Sequence, residues 1–160
     1  MNFIRGTLGV MILSLMLIAC DSSTTAAEHI ASAKQLLASA EKKAAVIELK
    51  NALQKDSQSA EARWLLGKTY LDSNDILSAE KELQRALRLG WSQDDVLPAL
   101  AKSLLAQGKY AEVGELVDRG LQPEAEATVL AAKSLAALAR GENRKAGKLV
   151  NNCLLYTSPS

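Results

Sequence analysis

Between Ala60 and Gly90 the apolar positions fall at helical spacing twice over. Ala62, Leu66, Gly67 and Tyr70 share one face of a first short helix, and Ile76, Ala79, Leu83, Ala86 and Leu87 share one face of a second. The polar run Asp72-Ser73-Asn74-Asp75 separates the two. Its side chains compete with helix continuation and can cap a helix start. Two faces this wide do not bury each other completely in one pair of short helices, so the unit needs neighbours.

Shifting the unit by 34 residues recovers it in both directions. Forward, Leu66 maps to Leu100, Gly67 to Ala101, Tyr70 to Leu104, Ala79 to Val113 and Leu83 to Val117. Backward, Ala79, Leu83 and Ala86 map to Ala45, Leu49 and Ala52. A fixed period with helix-turn-helix content marks a solenoid, in which each unit buries its apolar face against the next. The pattern predicts an all-α array of paired antiparallel helices over residues 28–152, without strands. Leu49, Ala52, Leu66, Ala79, Leu83, Ala86, Leu100 and Leu104 should form its core.

These residues resemble the tetratricopeptide repeat (TPR), a 34-residue helix pair with small residues where its helices meet. Gly108 and Tyr110 before Ala111 are similar to its turn-and-aromatic signature. The departures are specific. Arg63 stands at the family's usual tryptophan position, with Trp64 one place later, and Trp91 and Ser57 stand where proline is common. The resemblance implies a right-handed superhelix with repeats at about 26–59, 60–93, 94–126 and 127–152. The fourth is irregular: Gly141 and Ala146 suit a 33-residue step, whereas Ala132-Lys133-Ser134-Leu135 suits 31.

Composition narrows the packing. Aromatic residues make up only 4% of the chain while apolar residues make up 48%, so alanine and leucine carry the core and helices pack through small side chains. The formal charge of +1 argues against nucleic acid or an acidic membrane surface as a partner.

The first residues follow different rules. Arg5 and the apolar run Leu8 to Ile18, too short to span a membrane comfortably, form a leader over residues 1–19. It ends in Leu17-Ile18-Ala19-Cys20, which resembles the lipobox of bacterial lipoproteins. That resemblance implies lipidation of Cys20, cleavage before it, and stable anchoring by two or more acyl chains. An ordinary cleaved signal and an uncleaved anchor are the alternatives. Asp21 resembles the inner-membrane retention signal of enteric bacteria, so a periplasm-facing inner-membrane lipoprotein is expected, the outer membrane being the other possibility. Residues 20–27 read as the lipidated cysteine and a polar tether. Cys153 is the other cysteine, so no disulfide framework is expected.

The stretch AAVIELKNALQKDSQSAEARWLLGKTYLDSNDILSAEKELQRALRLG, with the leader, resembles the TPR lipoproteins of the PEP-CTERM/exosortase system, found with exopolysaccharide clusters. Members of that family are much longer, which implies that this chain is an N-terminal part. Residues 153–160, CLLYTSPS, interrupt the second helix of a repeat and resemble translated adapter sequence, so a non-native or disordered tail is expected. An authentic C-terminal tail is the alternative.

No catalytic constellation is apparent. His29 is the single histidine, and no nucleophile–base pair or zinc site can be built around it. Asp94 and Asp95 precede a helix, where carboxylates accept backbone N–H bonds. Glu80 and Glu82 with Lys81 and Arg85 read as a solvated helix face. No enzyme activity, cofactor, metal or small-molecule substrate is expected.

One pattern goes beyond packing. Small-Lys-x-(Leu/Tyr)-Leu recurs at Ala33-Lys34, Gly67-Lys68 and Ala101-Lys102, with Ala132-Lys133 as a fourth copy. In the TPR family these lysines occupy a position that lines the concave groove. Lys34, Lys68, Lys102 and Lys133, with Trp64, Leu37, Leu71 and Leu105 on the same wall, are therefore the candidate partner-binding residues. A row of exposed lysines copied by duplication is the plainer reading. The expected function is a membrane-anchored periplasmic scaffold for a protein or peptide partner, in PEP-CTERM sorting or exopolysaccharide export. The alternatives are a subunit or chaperone of an outer-membrane assembly or secretion complex, and an accessory module of a larger enzyme.

Overall fold

The computed structural model describes residues 24–117 and 119–157, the stretch 153–157 as helix backbone only. The leader, Cys20 and Asp21 lie outside these residues. Eight helices and no strand occur among the described residues: α1 Ala26–Ala38, α2 Lys42–Lys55, α3 Ala60–Asp72, α4 Ile76–Arg88, α5 Gln93–Ala106, α6 Tyr110–Glu115, α7 Pro123–Ala139 and α8 Asn143–Thr157. They pair in order as hairpins, odd-numbered helix against the even-numbered one that follows. The array is the all-α solenoid that the periodicity predicts.

The hairpin turns are built alike. Ala40, Asn74, Gly108 and Gly141 each take a positive φ, between 60° and 76°. The next residue's N–H then bonds back to the carbonyl five residues earlier: Glu41 to Leu36, Asp75 to Tyr70, Lys109 to Leu104 and Glu142 to Ala137. This left-handed cap satisfies carbonyls that a helix end otherwise leaves open. Steps of 34, 34 and 33 residues separate the four turns, so the repeat register is fixed in the backbone itself. Helix starts add side-chain caps. Thr25 and Glu28 form a reciprocal capping box, Ser59 accepts from Ala62 N–H, and Asp75 accepts from Ser78 N–H. Asp94 does something the sequence does not suggest: it accepts the Gln122 N–H at 2.6 Å, tying the start of α5 to the residue before α7.

All eight expected core positions are buried. Ala45, Ala79, Val113 and Ala146 repeat one small position through the stack, each 2% exposed or less. Facing them, the partner helix carries its own small residue: a Cβ on Gly67 would meet Leu83 Cγ at 2.8 Å and Leu83 N at 3.0 Å. Close approach of the backbones is what lets Leu49 and Leu83 disappear completely from solvent. Full burial of a leucine side chain is worth about 2–3 kcal/mol, so these two rank among the largest single contributions. Buried hydroxyls are satisfied, Thr69 donating to Leu65 O, Ser103 to Ile76 O and Ser134 to Ala146 O.

The third hairpin departs from the pattern. Its second helix, α6, stops at Glu115 after six residues, and Val117, which the 34-residue shift aligns with Leu83, is 55% exposed. Gly114 weakens the helix, Leu116 turns extended, and Gly120 takes a φ of +80°. Pro123 then opens α7, which runs 17 residues against 13 for α3. Leu116 and Leu121 fold under the loop to join Leu97, Ala125 and Val129 in a separate cluster, so α7 packs on α5 as well as on α6. Helix α5 is accordingly buried over much of its circumference, with Asp95, Lys102 and Ala106 left exposed. At the other end of α7, α8 continues as helix through Thr157, into the segment expected to be a foreign tail.

Candidate functional site

The candidate site lies on the odd-numbered helices, on residues adjacent to those that face the even-numbered ones. In α1, α3 and α5 the small residues Ala33, Gly67 and Ala101 are buried, and the lysine after each is exposed. A rotation of about 100° per residue accounts for that alternation. Lys34, Lys68 and Lys102 thus occupy one register position of three successive helices. Leu37, Leu71 and Leu105, three residues further on, are half-buried against the two main core clusters. Trp64 is half-buried too, one turn before Lys68.

The three lysines differ in what they meet. Lys34 Nζ pairs with Glu61 Oε1 at 2.5 Å, linking α1 to α3. Lys68 Nζ lies 5.7 Å from the centroid of the Trp64 ring, within cation–π range. Pro98 replaces that tryptophan one repeat later, and Lys102 has no ion-pair or ring partner among the described residues. The row therefore offers one paired, one ring-supported and one free ammonium.

Lys133 does not extend the row. The turn at Gly141 and the small residue Ala146 both set a 33-residue step, which puts Ser134 in register with Ala101 and Leu135 in register with Lys102. Two residues along a helix is a rotation of about 200°, so Lys133 leaves the lysine face. It is half-buried instead beside Tyr110, Gly114 and Leu149, in a pocket of about 190 Å³ between α6, α7 and α8. Exposed Leu135 and Leu138 take the register positions of lysine and leucine in the fourth hairpin.

Glu80 and Glu82 are not a solvated face; both are buried. Lys109 Nζ donates to both Glu80 oxygens, and Gln107 and Gln84 donate one bond each. Burial works to raise the Glu80 pKa. The bonds from Lys109 and Gln107, the Lys109 charge and the Gln84 bond outweigh it, and the carboxyl is held below its ordinary value. The bond to Glu80 in turn pushes the Lys109 ammonium up. Glu82 bridges Arg63 at 2.6 Å and Arg85 at 3.3 Å. An arginine at the family's tryptophan position was the available signal, since a guanidinium entering a helix interface needs a carboxylate across from it. His29 is half-buried between Glu48 and Thr24, at 2.7 and 2.9 Å.

No family model and no curated protein matches the chain. Solved structures do. A crystal structure of MamA superposes with a TM-score of 0.71 at 20% identity, over 82% of this chain and 72% of MamA. The Pseudomonas aeruginosa pilF protein gives 0.67 at 22% identity, over 82% of this chain and 61% of its own length. YrrB, described as a TPR protein with an unusual peptide-binding site, gives 0.50 at 21% identity, over 82% of this chain and 86% of YrrB. At such identities the likeness is one of fold, and that fold is the TPR-type solenoid.

Proposed function

We propose that this TPR-type solenoid is a non-enzymatic scaffold that holds an extended, acidic segment of a protein partner along its odd-numbered helices. The observation that carries the reading is the repeated pairing of an exposed lysine with a half-buried leucine three residues on, in α1, α3 and α5. Ammonium groups beside apolar ground suit a peptide that alternates carboxylates with apolar side chains. Trp64 under Lys68 adds a flat surface for such a chain. The peptide-binding site ascribed to YrrB is consistent with this use of the fold. The direct test compares affinity for a captured partner between the wild-type chain and a Lys68→Glu, Lys102→Glu variant. Binding should weaken strongly at low salt and the gap should narrow as salt screens the charges over about 8–10 Å. Unchanged affinity in a folded variant would reduce the lysine row to a solvated face.

The scaffold works, in this proposal, at the periplasmic side of a bacterial membrane, tethered through lipid on Cys20. The lipobox-like ending of the leader supports that placement, and Asp21 favours the inner membrane. A Cys20→Ser chain should leave the membrane fraction or keep its leader, and labelled palmitate should not be incorporated. Participation in PEP-CTERM protein sorting or exopolysaccharide export rests on the resemblance of the leader and first repeats. An exosortase gene beside this one in the genome would support it, and an unrelated neighbourhood would count against it.

A further inference from the structure

A second concentration of positive charge lies where the first two hairpins meet. A pocket of about 320 Å³ is lined by Ser57, Gln58, Arg63, Arg85, Arg88 and Leu89, where the loop after α2 meets the start of α3 and the end of α4. A second pocket, of about 410 Å³ between α2, α3 and α4, shares Arg63 and adds Lys50 and Lys81. The two pockets share Arg63 as a wall and, taken together as one cleft, are lined by five cationic side chains.

Acidic compensation inside this cleft is thin. Glu82 is the one carboxylate lining it, and its two oxygens are divided between Arg63 and Arg85. Asp56, nearby on the loop, accepts the Gln58 N–H at 2.9 Å. Arg88 is exposed and has no ion-pair partner among the described residues. Arg63 donates one terminal nitrogen to Glu82 and the other to Ser57 O, yet its Nε is buried with no acceptor. A buried donor without a partner marks a place where the fold supplies too few acceptors. The α4 carbonyl end attracts cations, which accounts for Arg85 and Arg88 being tolerated in its last turn, though not for Arg63 in α3.

We propose that this cleft is a second binding site that takes an oxyanion group, a carboxylate or a phosphate. Arg63, held in place by Glu82 and Ser57, forms its floor. Arg85, already oriented by Glu82, and the free Arg88 are the side chains within reach of a ligand. Guanidinium forks fixed in this way match the planar edge of either anion, and less ordering is needed on binding than with free lysines. The site shares no residue with the lysine row: it is built from α2, the loop after it, the start of α3 and α4.

The test uses the full-length chain labelled with ¹⁵N and titrated with inorganic phosphate or with acetate. Saturable shifts of the Arg63 Nε–Hε signal and of the Ser57, Gln58 and Leu89 amides are expected. Arg88→Gln, on an exposed side chain, should leave the spectrum otherwise native and weaken the anion about tenfold. Tighter binding of phosphate would assign the site to a phosphorylated ligand, and equal or tighter acetate binding to a carboxylate. Absence of saturation through tens of millimolar of either anion, or shifts that persist unchanged in Arg88→Gln, would overturn the proposal.

Discussion

Lys109, in the turn between α5 and α6, reaches across the repeat boundary and donates to both carboxylate oxygens of Glu80 in α4, at 2.7 and 2.8 Å. The contact fastens the third hairpin to the second, at the hairpin whose own second helix is shortest. Since α6 contributes so little apolar surface, this ion pair and the Gln107 bond to Glu80 replace part of what a full helix provides elsewhere.

Acid should loosen that fastening. The Glu80 pKa is depressed in the folded chain, so its contribution is fully present above the unfolded carboxylate value of about 4.3 and fades as pH falls through the lower folded value. The Lys109 pKa is raised, so its contribution is complete below about 10.4 and fades only as pH climbs through the higher folded value. Urea midpoints for wild type and Glu80→Gln should differ at neutral pH and converge as pH falls below the unfolded carboxylate value of about 4.3. Parallel curves across that range would show that the pair contributes nothing.

Two glycine-to-alanine changes should act in opposite directions. Alanine is favoured over glycine in a helix by about 1 kcal/mol. At Gly67 the added Cβ runs into Leu83, backbone included, and overpacking of about 1–3 kcal/mol should win, lowering stability. At Gly114 nothing lies within 4 Å, so alanine should stabilise α6. Thermal unfolding of the two variants measures both signs.

The register at the third hairpin gives a further contrast. Leu83→Ala removes a fully buried side chain and should cost about 2–5 kcal/mol. Val117→Ala, one repeat on, should stay within about 0.5 kcal/mol because the side chain is exposed. Equal losses at the two positions would mean that α6 extends as a regular helix.

Much of this architecture is readable from the residues, and the boundary of legibility has physical causes. Small residues recurring every 34 residues identify the helix contacts, because a position such as Gly67 tolerates no Cβ. Residues that recur identify what every repeat must do. Arg63 and Glu80 do not recur, and Glu82 recurs as Glu48, which meets His29 where Glu82 meets Arg63. The burial of these groups depends on which side chain a neighbouring helix presents, information that helical periodicity does not carry. Lys133 misleads for a related reason: its local motif matches the lysine copies, while the turn at Gly141 sets the register two residues later. The shortening of α6 had its cues in Gly114, Gly120 and Pro123, none of which the 34-residue alignment of Val117 with Leu83 takes into account.

A partner seated along the odd-numbered helices is detectable by photo-crosslinking in intact cells. A photoreactive amino acid is placed singly at Leu71 and Leu105, on the proposed binding face. It is also placed at Ile47 and Leu77, exposed apolar positions of α2 and α4. The expected result is a discrete crosslinked partner from Leu71 and Leu105 and none from Ile47 or Leu77. A crosslink confined to Ile47 and Leu77, or equal at all four positions, would contradict the assignment of the binding face.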